Sequence, residues 1–483
     1  MHPILPGPLS RRAFLQRSAQ LAFTGVALPT ALNLAAMGEA AAFNATDYKA
    51  LVCVFLFGGN DYANTVVPYD SMRYEQYRSA RADIALDHSR LLPLNTSNLA
   101  AGLRYALHPH MGGLADLFNA GHAAVQLNVG PLVEPLTRAQ YEAEQGRQPP
   151  KLFSHNDQQS YWQSSSPEGA TAGWGGRTGD AARALNTGNP LFTCVSVTGN
   201  TVFLTGNDVL AYQVGSWGAV RINAVDRWAF GSEAVGQALS RIVQEDRSRQ
   251  HVLEGMYNSV TQRAITAETS ITAALEAYPD DQTHTQFATI PNTNLGRQLR
   301  MVARLIAARD LLGTKRQVFF VSMGGFDTHG GLLQNHGELM QELSDALAGF
   351  YRVTGDASVM GAGGVANQVT AFTASEFGRT LTSNGDGSDH GWGGHHLVVG
   401  GAVNGGRFYG KPPPVSLGDS GGPEDQWHVG QGRLLPSTSV DQYAGTLARW
   451  FGVNDTELAR ILPNLSNFTE ANGYPPDLGF MAT

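Results

Sequence analysis

The chain alternates short apolar runs with longer segments whose apolar residues recur every three or four positions. Leu51–Phe57, Val318–Ser322 and Val369–Ala374 are runs of strand length, and each ends in a polar cluster. Such runs predict strands buried on both faces, as in a parallel sheet covered by helices. Ala123–Val129 and His396–Gly400 read as two further strands. Helical spacing predicts helices over Tyr105–Gly121, Leu295–Leu312 and Leu332–Tyr351, with a broken helical stretch over Ser232–Tyr278. Between Leu191 and Asn223, β-like runs alternate with Gly199-Asn200 and Gly206-Asn207, which predicts hairpins. Residues 131–190, rich in Gly, Pro, Ser, Gln and Arg, read as irregular excursions near strand ends. The order strand, helix, strand predicts an α/β fold: a mostly parallel sheet flanked by helices, with a hairpin and helical insertion over roughly 190–312.

The N-terminal segment has a different character. Ser10-Arg11-Arg12-Ala13-Phe14-Leu15-Gln16 is a twin-arginine export motif, followed by an alanine-rich run to about Met37 and by Ala40-Ala41-Ala42. This predicts a signal peptide over 1–42 and a mature domain over 43–483, exported to the periplasm by the twin-arginine machinery. Pro29, Thr30 and Asn33 interrupt the leader, and no second long apolar run follows, so no stable membrane span is expected after cleavage. Residues 1–42 carry three Arg and one Glu, so cleavage takes the formal charge from −8 to −10. That balance argues against nucleic acid as a partner. Cys53 and Cys194 lie in apolar runs, where buried free thiols are the default and a single bridge stays open.

Candidate chemistry collects at the strand exits, where open α/β sheets carry their ligand sites. The first exit reads Gly58-Gly59-Asn60-Asp61, the next Gly324-Gly325-Phe326-Asp327-Thr328-His329, and the third Ser375-Glu376-Phe377-Gly378-Arg379. A glycine-rich stretch then carries Asp389-His390 and His395-His396, of which His390 is the preferred functional histidine. Carboxylates and imidazoles in this pattern suit a divalent cation such as Zn, Ca or Mn. The metal candidates are Asp61, Asp327, His329, His336, Glu376 and His390. Each has a plainer alternative: a turn aspartate at 61, helix-capping histidines after Asp327, or an ion pair between Glu376 and Arg379. Arg379 is also a candidate grip for an anionic oxyacid group. In Ser154-His155-Asn156-Asp157, Ser154 could act as a nucleophile, with His155 orienting the attacked group, or Ser154 or Asn156 could simply cap a helix.

Taken in order, the twin-arginine leader, GGND, SHNDQQSYW, GGFDTH, SEFGRT and DHGWGGHH resemble an exported family catalogued as domain of unknown function 1501. The likeness runs over nearly the whole mature chain. That family resembles a branch of the alkaline phosphatase and sulfatase superfamily, which implies a metal site at the ends of a mostly parallel sheet and hydrolysis of phosphate or sulfate esters. On that resemblance Asp61 corresponds to a metal-binding aspartate and Ser154 to the nucleophile. Asp327 with His329, and His336, correspond to an Asp–His pair, and His390 to a late histidine ligand. The chain departs from the superfamily at one place: Glu376-Phe377 stands where adjacent Asp and His are usual, and Asp389-His390-Gly391 comes only later.

Two functions follow. One is an exported, metal-dependent hydrolase of a small-molecule or glycan ester. The other is a non-catalytic protein of the same fold that binds an anionic or sugar-like ligand, or a partner protein, in the same cleft. No G-x-G-x-x-G follows the first strand, which argues against a nucleotide-dependent oxidoreductase.

Overall fold

A computed structural model describes residues 47–186, 190–220, 231–245, 251–280 and 282–482. The expected leader, residues 1–42, lies outside the described residues. A ten-stranded mixed sheet forms the centre, made of β1 (Lys49–Leu56), β5 (Ala123–Gly130), β6 (Cys194–Ser196), β7 (Tyr212–Gly215), β8 (Gly218–Ala219), β9 (Arg316–Met323), β10 (Val369–Ala374), β11 (Gly394–Gly400), β12 (Arg407–Tyr409) and β13 (Thr438–Ser439). Strands β2 (Val66–Pro68), β3 (Leu92–Pro93) and β4 (Tyr105–Leu107) make a small separate sheet. The main order is β12-β5-β11-β10-β1-β9-β6-β7-β8, with β13 beside β5. The central neighbours β10, β1, β9 and β6 pair in parallel, whereas β11 pairs antiparallel with both β10 and β5.

Alternation along β1 explains the layers. Ala50, Val52, Val54 and Leu56 point into one core with helices Gly112–Asn119, Asn294–Ala307 and Leu332–Gly355. Leu51, Cys53 and Phe55 point into a second core with Trp162, Trp174, Tyr443 and Phe451, on helices His155–Ser164, Trp174–Ala182 and Val440–Phe451. A strand buried on both faces has no polar side to write into its sequence, hence the unbroken apolar run. Helix Val252–Ala277, within the segment expected as an insertion, adds Ala267, Ile271 and Ala274 to the first core. Cys53 and Cys194 are both buried free thiols, on strands that flank β9.

The structure differs from expectation at three places. Tyr105–Leu107 is a strand, and its helix begins only at Gly112. Pro109 disfavours helical backbone at His108, so the apolar spacing there does not run on as one helix. Residues 131–190 are less irregular than expected, with helices at Arg138–Glu142, His155–Ser164 and Trp174–Ala182. Of the hairpins expected over Leu191–Asn223, one forms between β7 and β8, while β6 and β7 pair in parallel.

Asp441 gives the fold a measurable pH dependence. It is fully buried in the first turn of Val440–Phe451, accepting from Ser165 Oγ at 3.1 Å and from the Asn464 N–H at 3.2 Å. Burial outweighs these bonds and pushes the carboxyl up to about 6. A folded value above the unfolded one favours the folded state fully below pH ~3.9, and that benefit is lost as pH rises through the folded value. Asp441→Asn keeps a neutral side chain at every pH. Its thermal midpoint should therefore gain on the wild type between pH 4 and pH 8, by the equivalent of about 2–3 kcal/mol. A pH-independent difference between the two proteins would contradict this.

Candidate functional site

Because β10, β1 and β9 are adjacent and parallel, their C-terminal ends leave the same edge of the sheet. Gly58 (φ +120°) and Gly59 (φ +87°) let the β1 exit touch the other two. A Cβ at Gly58 would lie 2.2 Å from the Asp327 nitrogen, and one at Gly59 2.4 Å from the Phe377 ring. After β10 the chain folds back on itself. Arg379 and His390 form an antiparallel bridge, with the Gly378 N–H donating to the Trp392 carbonyl at 3.0 Å and the Thr380 N–H to Asp389 at 2.9 Å. This fold-back carries His390 to the β9 exit. Phe153, held at φ +71° just before helix His155–Ser164, turns its carbonyl oxygen to His390.

Three imidazoles converge on the Asp327 carboxylate. His329 Nε2 and His390 Nε2 are 3.0 Å apart, and each lies 3.1 Å from Asp327 Oδ1. His155 Nε2 lies 3.5 Å from Asp327 Oδ2, and donor atoms of His155, Asp327 and His390 all fall within 4.8 Å of one another. Each ring is anchored through its other nitrogen: His329 Nδ1 to Asp389 Oδ1 at 3.1 Å, His390 Nδ1 to the Phe153 carbonyl at 2.8 Å, and His155 Nδ1 to Glu376 Oε1 at 2.9 Å. Carboxylate and carbonyl oxygens only accept, so each Nδ1 carries a proton and each ring directs its Nε2 toward Asp327. Second partners of this kind fix the tautomer and aim of metal-ligating histidines. Ligand atoms about 2.0–2.2 Å from a tetrahedral ion sit roughly 3.3–3.6 Å apart, slightly wider than the triangle here. Two lone pairs and a carboxylate oxygen this close require a positive charge between them, either a proton on one ring or a metal ion. The donor set fits a divalent cation.

Arg379 holds Asp327 from beneath. Its guanidinium is fully buried, with Nη1 donating to Asp327 Oδ1 at 2.6 Å and to the Gly58 carbonyl at 3.0 Å, and Nη2 to the Ser388 carbonyl. Burial would raise the Asp327 carboxyl, but the Arg379 bond and charge, with His329 and His390, hold it below the usual range. Burial lowers the His390 pKa, which favours the neutral ring that a metal ligand needs. The hydrogen bond to Glu376 raises that of His155 despite its partial burial. Phe377 walls the group, with its ring centre 4.7 Å from His390 and 4.9 Å from His155.

The other expected residues lie apart from this donor group or play different parts in it. Asp61 is fully buried, ion-paired to the equally buried Arg81, and accepts from the Ala63 N–H at 3.1 Å, so it caps a turn and neutralises an arginine. Losing one partner of such a buried pair costs about 3–5 kcal/mol. His336 is buried with Nε2 3.1 Å from Asn60 Oδ1, and burial pushes its pKa down to about 3. Glu376 is fully buried and accepts from the Gly58 N–H, His155 and Gln159, so it orients His155 from outside the triangle. Arg379, expected as an open anion grip, has its donors committed within the protein. Ser154 sits between Phe153 and His155 at the N-cap, yet its hydroxyl makes no cap bond and donates instead to Asp157 Oδ2 at 2.8 Å. His395 and His396 are buried, accepting from the Asn128 N–H at 3.1 Å and facing Thr373 Oγ1 at 3.4 Å respectively. Asp157 was legible three residues after Ser154, whereas the Phe153 carbonyl and Arg433, which donates to the His390 carbonyl at 2.7 Å, left no signal in sequence.

The family described as "Protein of unknown function (DUF1501)" matches residues 48–462, and the chain belongs to it. No curated protein matches the chain. A solved structure described as "Crystal structure of Ps i-CgsB in complex with k-i-k-neocarrahexaose" is similar at 9% identity and a TM-score of 0.32, over 89% of this chain and 78% of that one.

The Glu376–His155 bond makes a direct prediction. A raised histidine pKa means that this pair supports the fold fully below pH ~6.5 and stops doing so as pH rises through the raised value. In EDTA-treated protein, His155 should titrate above the ordinary histidine value by NMR, and Glu376→Gln should bring it down. An unchanged midpoint in Glu376→Gln would show that the bond does not set it.

Proposed function

We propose that this DUF1501 protein is an exported, metal-dependent hydrolase of phosphate or sulfate esters, acting on a small-molecule or glycan substrate. The observation that carries this reading is the set of three Nδ1-anchored imidazoles whose Nε2 atoms converge on Asp327. Asp327, His329 and His390 would hold the ion, and so rich an imidazole set favours Zn or Mn over Ca. When bound, the ion supplies Lewis-acid stabilisation of negative charge on the ester oxygens.

The chain's own residues would do the remainder. Asp157 would accept the Ser154 proton across their 2.8 Å bond as Ser154 Oγ attacks phosphorus or sulfur and the bond to the leaving oxygen breaks. His155, whose pKa the Glu376 hydrogen bond raises, would in its protonated form give a proton to the departing oxygen. Water would then cleave the Ser154 ester, giving a proton to His155, while Ser154 takes its proton back from Asp157. The Ser10–Gln16 motif supports twin-arginine export to the periplasm. Among the described residues, no helix is long and apolar enough to cross a membrane.

A second reading, a ligand-binding protein without turnover, is favoured by the fate of Asp61. The position that the superfamily resemblance assigns to a metal ligand is neutralised by Arg81 instead.

Turnover separates the two. Metal-loaded protein should hydrolyse some member of a broad panel of phospho- and sulfoesters, and Ser154→Ala should lower that rate roughly a thousandfold or more with metal content unchanged. Full activity in Ser154→Ala would remove Ser154 as nucleophile. A metal-loaded wild type that turns over nothing in the panel would select the binding protein.

A further inference from the structure

With Arg379 buried against Asp327, the proposed reaction has lost its expected guanidinium for the anionic part of the substrate. Arg433 is the arginine whose position answers that need. It is half-buried, its guanidinium lies 5.1 Å from the centre of the Phe153 ring, and its Nε donates to the His390 carbonyl at 2.7 Å. Both contacts are to residues of the candidate site: Phe153 anchors the His390 ring and immediately precedes Ser154. Among the described residues, no carboxylate lies within ion-pair distance of Arg433, and its two terminal nitrogens make no hydrogen bond. Asp389, the nearby acid, is instead held by His329 and by Asn384 Nδ2 at 2.9 Å. Asp389 acts on Arg433 only through space, and a partly desolvated guanidinium with no direct ion pair is a poor structural element but a good receptor, because its planar fork matches two oxygens of a tetrahedral oxyanion. The cation–π contact with Phe153 and the bond through Nε hold the guanidinium in advance, which lowers the entropy lost when an anion arrives.

We infer that Arg433 is the substrate-recognition residue of this site, taking the phosphoryl or sulfuryl group of the ester with its two free nitrogens. The inference rests on the hydrolase reading but makes its own prediction about anion binding. The role expected for Arg379 from its place after β10 passes to a residue some fifty positions later, in the Gly430–Arg433 turn.

The test is calorimetric binding of inorganic phosphate and sulfate to the zinc-loaded mature chain, with zinc content measured in parallel. Arg433→Gln should weaken anion binding about 10- to 100-fold at unchanged zinc content. Arg433→Lys, which keeps the charge and loses the fork, should fall between the two. The anion whose affinity depends more strongly on Arg433 identifies the ester class. Equal binding by wild type and Arg433→Gln would overturn the inference, as would a wild type that binds neither anion. Loss of zinc together with anion affinity would also overturn it, since Arg433 would then act only by holding His390. If the EDTA-treated chain still binds phosphate and Arg433→Gln still weakens it, Arg433 keeps its role and the metal reading fails.

Discussion

The buried Arg379 guanidinium ties the site together. It reaches the β1 exit through the Gly58 carbonyl, the β9 exit through Asp327, and the returning loop through Ser388, while its own backbone pairs with His390. A charge taken out of water in this way is tolerable only if each donor finds an acceptor of good geometry, so the three segments are fixed relative to one another. Asp327 gains from this directly. Its carboxyl is held below the usual range, and it becomes the point on which the three histidines converge.

Glu376 and Phe377 sit within that framework. Glu376 turns inward to hold Gly58 and His155, and Phe377 supplies an apolar wall against two imidazole rings. A histidine then enters the site from Asp389-His390, one fold-back later, rather than from β10 itself. The result is one donor group centred on Asp327, with the Asp61–Arg81 pair nearby in a structural role.

The central strands were legible because strands buried on both faces leave unbroken apolar runs; the strand-exit rule led to Asp327 and His329, and the glycine-rich stretch after the third exit led to His390. Other parts were illegible for identifiable reasons. Helix Trp174–Ala182 reads as loop because Gly175, Gly176 and Gly179 lower its helix propensity, yet they permit close packing: a Cβ at Gly175 would lie 2.5 Å from the Phe203 ring, and one at Gly179 2.4 Å from Cys194 Sγ. Asp61 stood at the right kind of position, but its partner Arg81 lies twenty residues on, at the end of the Ser71–Arg81 helix, where no local spacing announces it. Arg379 offered two readings, a grip on a ligand or a bond to Glu376, and its partner is Asp327, reached only through the parallel pairing of β10, β1 and β9. Local pattern specifies elements and their ends. Which charges neutralise each other is set by tertiary packing.

Anomalous scattering from crystals of the mature protein grown with zinc is the decisive measurement. A single strong peak about 2.0–2.2 Å from His329 Nε2, His390 Nε2 and an Asp327 oxygen is the expected result. Ordered, zinc-saturated crystals with no peak among these three atoms, or with the ion at Asp61 in place of Arg81, would contradict a metal centre built on Asp327.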